Sequence, residues 1–228
     1  MEFPHIAATA SARALVVLST WTGAVAPVQS FAEEPIVARP RVKVDDTWKY
    51  SVRRTDAQQR SRENVYDFKV TFVGPTAIKA VSTMANGEEI DTTWTPEWNV
   101  VTDGRAGSFY PDTGLLKFPL QPGATYSTKY EVVRPRQGQF DSKLAVNMKV
   151  VGWQQITVKA GTFRALKLEG TGTYERVDKV KGGAGTIHYS IWYVPEIQRW
   201  AKFDFETKDQ SGKVNQAQSE ELLSFKLQ

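Results

Sequence analysis

Val65-Tyr-Asp-Phe-Lys-Val-Thr-Phe72 decides how this chain is to be read. Tyr66, Phe68, Val70 and Phe72 share one parity, while Val65, Asp67, Lys69 and Thr71 take the other. Successive side chains of a strand point to opposite faces, so this period of two predicts a half-buried strand. The same alternation recurs at Trp48, Tyr50 and Val52, set against Lys49, Ser51 and Arg53. It returns at Tyr126, Thr128, Tyr130 and Val132, at Leu144, Val146, Met148 and Val150, and finally at Leu223, Phe225 and Leu227.

The punctuation between these runs suits antiparallel hairpins. Asn86-Gly87 is the strongest two-residue hairpin signal, because both central residues of a type I′ turn need positive φ. Asp103-Gly104, Asp112-Thr113-Gly114 and Ser211-Gly212 mark further turns. Lys181-Gly-Gly-Ala-Gly185 reads as a loose tip between two long strands. Thr55 to Asn64 holds good helix formers but no apolar stripe, so it reads as a solvated loop or a single helical turn. The expectation is an all-β single domain over 41–228. Its antiparallel strands form one strongly curved sheet, closed as a barrel or half-barrel or packed as a two-layer sandwich.

The N-terminus has a different character. Arg13 leads into Ala14-Leu-Val-Val-Leu18, small and apolar residues continue to Ala26, and Ser30-Phe31-Ala32 places small residues at −3 and −1. That is the layout of a secretory leader over 1–32 with cleavage after Ala32, and Ala26 is the weaker alternative because Pro27 follows it. The apolar core is about a dozen residues, shorter than the roughly 20 a spanning helix needs. Residues 33–40 read as an extended lead-in with prolines near both ends. The expected location is the periplasm or the exterior, without a membrane span.

Composition narrows the classes. The chain has no cysteine, which excludes disulfides and thiolate metal sites, and it has no Asn-x-Ser/Thr sequon. Stability must then come from buried apolar surface, at about 25 cal/mol per Å². A formal charge of +4 on 228 residues suggests mild attraction to anionic surfaces and no nucleic-acid footprint.

Residues that could carry chemistry are sparse. Outside the leader His188 is the only histidine. It shares a strand parity with Ser190 and Trp192, no Gly-x-Ser-x-Gly elbow accompanies it, and a histidine packed beside an aromatic is the plain reading. One histidine cannot build a zinc site. Asp45-Asp46, Glu88-Glu89 and Glu220-Glu221 are adjacent pairs, which on a strand diverge to opposite faces and so do not converge on one ion. Asp45-Asp46 read as a turn into the first strand. Gly170-Thr-Gly172 lacks the following helix a phosphate loop requires, so it reads as a turn or bulge. These readings predict no catalytic residue, metal or cofactor.

The aromatic load stands out. Beyond the leader lie Trp48, Trp94, Trp98, Trp153, Trp192 and Trp200. Core packing accounts for most of them in a β domain. The sharper reading takes Trp94, Trp98, Trp192 and Tyr193 as the wall of a hollow for an apolar ligand.

The C-terminal half also carries a resemblance. Val158-Lys-Ala-Gly-Thr-Phe163, Ala165-Leu-Lys-Leu168 and Ile191-Trp-Tyr-Val-Pro195, leading to Trp200-Ala-Lys202, resemble the pattern of the TapB-like exported bacterial β proteins, a family long filed as a domain of unknown function. Asp46-Thr-Trp-Lys-Tyr50 is similar to that family's opening strand. Where the family usually continues the proline with glycine, this chain has Glu196-Ile197-Gln198. The resemblance implies an envelope-located antiparallel β fold, a barrel or half-barrel able to hold an apolar ligand, and it brings no catalytic residues.

The functional expectation is a non-enzymatic exported binding module whose ligand is a lipid or another apolar molecule. The alternatives are an assembly partner that joins another envelope protein through an exposed strand edge, and a glycan-binding module with tryptophans stacked on sugar rings.

Overall fold

The computed structural model describes residues 35–134, 141–177 and 183–228. The leader, its cleavage after Ala32 and part of the glycine-rich tip at 181–185 lie outside the described residues.

The chain forms twelve strands: β1 Thr47–Asp56, β2 Ser61–Val73, β3 Ile78–Met84, β4 Glu89–Trp94, β5 Val100–Asp103, β6 Gly107–Tyr110, β7 Thr125–Val133, β8 Asp141–Val158, β9 Gly161–Val177, β10 Gly183–Val194, β11 Arg199–Asp209 and β12 Val214–Lys226. Each strand pairs antiparallel with its neighbours in sequence, and β1 pairs with β12, so the meander closes into a barrel. Closure removes the strand edges that an open sheet exposes. β8 is the exception. Its pairing with β7 begins at Thr125↔Lys149, and Ala124 extends it by bonding Val150. From Val151 to Val158, β8 has only β9 as a ladder partner among the described residues.

The predicted alternation is realised as an inward and an outward face. Trp48, Tyr50 and Val52 on β1 and Tyr66, Phe68 and Val70 on β2 are buried, whereas Arg53, Asp67 and Lys69 are exposed. An eight-stranded barrel is just wide enough for its side chains to fill. Twelve strands would leave a wide channel, but here opposite walls draw together. The Tyr130 and Tyr189 hydroxyls, from β7 and β10, hydrogen-bond at 2.8 Å, and the rings of Trp94 on β4 and Trp200 on β11 lie 5.8 Å apart.

Up-and-down topology sorts the connections onto two ends. One end holds the short turns at 57–60, 85–88, 104–106 and 210–213, whose residues are partly or fully exposed. The other end holds the turn at 95–99, the long connection 111–124, the 3-10 turn Pro195–Ile197 and the lead-in. These contribute Trp98, Leu115, Leu116, Leu120, Ile197, Val37 and Val42 to the buried core. Val37 pairs with Leu120 through reciprocal backbone bonds of 2.9 Å, which ties the lead-in across this end. One end is therefore capped by apolar side chains and the other is rimmed by polar turns.

Two readings are corrected. The segment 55–64 is neither a free loop nor a helical turn, because β1 and β2 run through it to a tight turn at 57–60 and pair as far as Thr55↔Ser61. Gly170-Thr-Gly172 is not a turn or bulge but lies within β9, in continuous register with β8 and β10. A Cβ at Gly170 would collide with the Met148 side chain, and one at Gly172 with the Ala145 carbonyl, so these glycines make room for the paired strand β8. Turns form at Asn86-Gly87 and Ser211-Gly212, with Gly87 at φ 82° and Gly212 at φ 84°. The first is not the two-residue type I′ turn expected: Asn86 is not at positive φ, and the Gly87 amide bonds the Met84 carbonyl while the Met84 amide bonds the Glu88 carbonyl, so the loop has three residues with glycine in the left-handed position. Asp45-Asp46 does lead into β1. Asp46 is buried, and its carboxylate accepts from the Lys43 amide at 2.7 Å and from the Gln228 amide at 2.8 Å.

Candidate functional site

The capped half of the lumen is organised around one cation. Arg199 opens β11, is 1 % exposed, and its guanidinium carbon lies 3.7 Å from the Phe68 ring centre, 4.1 Å from Trp200 and 4.4 Å from Trp98. Trp94 follows at 5.0 Å, Trp48 at 5.6 Å and Tyr50 at 5.8 Å. A guanidinium over an aromatic face gains about 0.5–2 kcal/mol, more when water is excluded.

The backbone at the start of β11 is held by the same rings. The Trp48 indole N–H donates to the Ile197 carbonyl at 2.9 Å, Trp98 to the Gln198 carbonyl at 2.7 Å, and the Tyr50 hydroxyl to the Trp200 carbonyl at 2.7 Å. Gln198 takes the left-handed conformation at φ 60°, so the turn after Pro195 is made by a residue other than glycine. The rings also pack on one another edge to face, Trp94 with Trp98 at 5.8 Å and Trp48 with Trp98 at 5.8 Å. This half is filled.

Arg199 has no carboxylate at ion-pair distance among the described residues. Its Nε and Nη1 are buried and make no hydrogen bond among the described residues. Burial pulls its pKa below the usual arginine value, and the neighbouring Tyr50, Tyr66 and Glu220 oppose that shift. Glu220 on β12 is likewise buried, and burial raises its carboxyl above the ordinary range despite the opposing pull of Arg199 and Arg54. Its two oxygens accept from the Trp200 indole at 3.3 Å and from Gln218 Nε2 at 2.7 Å. Gln218 in turn accepts from Arg54 Nε at 2.7 Å. An inward-facing polar chain thus runs from the core toward the mouth.

The mouth half is different. Phe203 and Phe205 share a face of β11, and Phe203 stands opposite the buried residues Ile191 and Glu220, so both phenylalanines point inward. Their rings sit 6.0 and 6.1 Å from that of Tyr189. Both are only partly buried. Tyr130, against Tyr189, has its hydroxyl pushed up to about 12 by burial.

The four predicted wall residues occupy two places. Trp94, Trp98 and Tyr193 are buried, the first two in the arginine cage and Tyr193 against Phe118 at 5.3 Å. Trp192 lies on the outer face, where its indole donates to Gln154 at 3.1 Å and the ammonium groups of Lys202 and Lys167 approach its ring at 5.2 and 5.3 Å. Neighbours along a strand diverge, so Trp192 and Tyr193 do not share a wall. Two open clefts occur elsewhere, about 330 Å³ beside Asn99, Phe118 and Tyr126 and about 310 Å³ beside Trp153, Phe163 and Arg164. His188 is exposed on the outer face of β10, opposite Thr171 and Glu206. No group of three His, Asp or Glu residues converges for a metal among the described residues.

Sequence reasoning missed Arg199, because an isolated arginine is normally a surface residue. The available signal was its place between Ile197 and the pair Trp200-Ala201 at the start of a strand. Phe203 and Phe205 were also missed, although their alternation with Lys202, Asp204 and Glu206 marks a face.

No family model and no curated protein matches this chain. The resemblance to the TapB-like proteins therefore rests on the quoted motifs alone. Among solved structures, the chain is similar to one described as a lipoprotein from Parabacteroides distasonis (TM-score 0.47, 13 % identity, 85 % of this chain and 100 % of that one). It is also similar to an exported protein of YmcC-like fold from Bacteroides fragilis (TM-score 0.47, 13 % identity, 84 % and 100 %). A third is the hypothetical lipoprotein YmcC from Escherichia coli (TM-score 0.45, 6 % identity, 78 % and 84 %).

Proposed function

We propose that this chain is an exported, non-enzymatic binding barrel that takes an apolar ligand, such as a lipid tail, into the mouth half of its lumen. The observation that carries the reading is the incomplete burial of Phe203 and Phe205. Inward residues of a closed barrel reach solvent only through an open end, and the mouths of barrels are common ligand sites. The leader over 1–32 supports export. His188 is solvent-exposed on the outer face of β10, apart from the lumen in which the ligand is proposed to sit.

Titration of purified protein with N-phenyl-1-naphthylamine, a neutral dye that brightens in apolar sites, tests the reading. Saturable binding in the wild type that weakens at least tenfold in Phe205→Asp supports it. Absence of saturable binding contradicts it.

A further inference from the structure

Resting on that reading, we infer that the occupant carries an anionic headgroup, a carboxylate or phosphate on an acyl chain, received at the mouth by Arg54 and Arg62. These residues stand directly opposite each other on β1 and β2, on the inward parity shared with Val52, Tyr66 and Phe68. Like charges opposed across a strand pair destabilise a sheet. An anion seated between them reverses the sign of that interaction, and guanidinium forks suit carboxylate and phosphate oxygens.

The outward cations of the same hairpin set the contrast. Lys49 pairs with Asp67 at 3.2 Å and Arg53 with Glu63 at 3.4 Å, and in the turn itself Arg60 pairs with Asp56 at 2.8 Å. Neither Arg54 nor Arg62 has a carboxylate within ion-pair distance among the described residues; Arg54 meets the neutral Gln218 instead. Glu220, the inward acid on which Arg54 pulls, already bonds Trp200 and Gln218, and two acids nearer the rim are committed to their own turns. Asp56 caps its own turn, accepting from the amides of Gln58 and Arg60, and Asp209 does the same for Ser211 and Lys213. Phe205 is opposite Gln218, which is opposite Arg54, so an aromatic surface and a cationic rim are two strands apart on one inner face. That is the layout an amphipathic anion requires.

The test is displacement of the naphthylamine dye by palmitate and by hexadecanol, which share a chain and differ in charge. Palmitate is expected to compete at least tenfold more strongly than hexadecanol. Arg54→Gln/Arg62→Gln is expected to bring the two together, and Arg54→Lys/Arg62→Lys to keep palmitate ahead. Equal competition by acid and alcohol in the wild type overturns this inference and leaves the binding barrel standing. Failure of the dye to bind overturns both. Native mass spectrometry of gently extracted protein separates the sources: a fatty acid or an anionic phospholipid in the lumen supports the inference, and a neutral lipid contradicts it.

Discussion

At the capped end of the lumen Arg199 is enclosed by six aromatic rings, whereas at the mouth Arg54 and Arg62 lie two and three strands from Phe205 on the same inner face, beside turns that solvent reaches. Both halves combine arginine with aromatics. They differ in what closes them. The capped end receives Leu115, Leu116, Leu120, Ile197 and Val37 from its connections, while the turns described at the mouth are short and polar. The same residue chemistry therefore gives a rigid plug where the connections are apolar, and an accessible surface where they are short and polar.

The largest effect is expected at the plug. Arg199→Ala empties the centre of the cage, so denaturant unfolding should show a loss of about 2–5 kcal/mol, the range for truncating a large buried side chain to alanine. Arg199→Met, which keeps most of the volume, should cost much less, since buried charges are often replaceable by apolar groups of similar size. Equal losses for the two variants would mean that the charge, not the filling, holds the rings in place.

Phe205→Ala sharpens the contrast from the other side. A phenylalanine packed on one face and wet on the other should cost no more than about 2 kcal/mol, below the roughly 3–5 typical of a fully buried one. A loss as large as that of Phe68→Ala, measured in the same titration, would show that the mouth is filled.

Much of this division was already legible in the amino-acid pattern, and the reasons it was incomplete are physical. The alternation in β1, β2, β7 and β8 was visible because one parity is apolar over the capped half. It fades at Arg54, Arg62 and Asn64, where the inward face becomes polar toward the mouth, and the segment then looks like a loop. Trp94, Trp98 and Tyr193 could be recognised as inward aromatics, but nothing in the spacing showed that an arginine 101 positions beyond Trp98 would fill the space between the tryptophans. Trp192 looked equivalent to Tyr193 only because both are aromatic, although adjacency places them on opposite faces.

Glu220 supplies a pH-dependent probe of the plug. Its carboxyl titrates above the ordinary 4.5 in the folded state because of burial. Between the unfolded and folded values the native state binds more protons than the unfolded chain, so the contribution of this group to stability falls as pH rises through that window. Glu220→Gln should remove this component, and wild type should lose stability relative to the variant as pH rises from about 4.5. The difference is read from parallel urea titrations, and a gap that moves the other way would place Glu220 in a stabilised, ionised state.

The smallest effect is expected on the outer face. Trp192→Ala removes an indole held by Gln154 and flanked by Lys167 and Lys202, all of them solvent-reachable. Its stability loss should stay near or below about 1 kcal/mol, with dye binding unchanged. Reduced dye affinity in this variant would move the site from the lumen to the exterior.

The absence of native cysteine makes the central claim open to direct measurement. Phe205→Cys and Ile191→Cys each introduce one inward thiol, the first in the mouth half and the second where the native side chain is 1 % exposed. Maleimide labelling of the folded proteins should modify the Phe205→Cys variant readily and the Ile191→Cys variant only after denaturation. Protection of both thiols, or equally fast labelling of both, would contradict a lumen that is plugged at one end and open at the other.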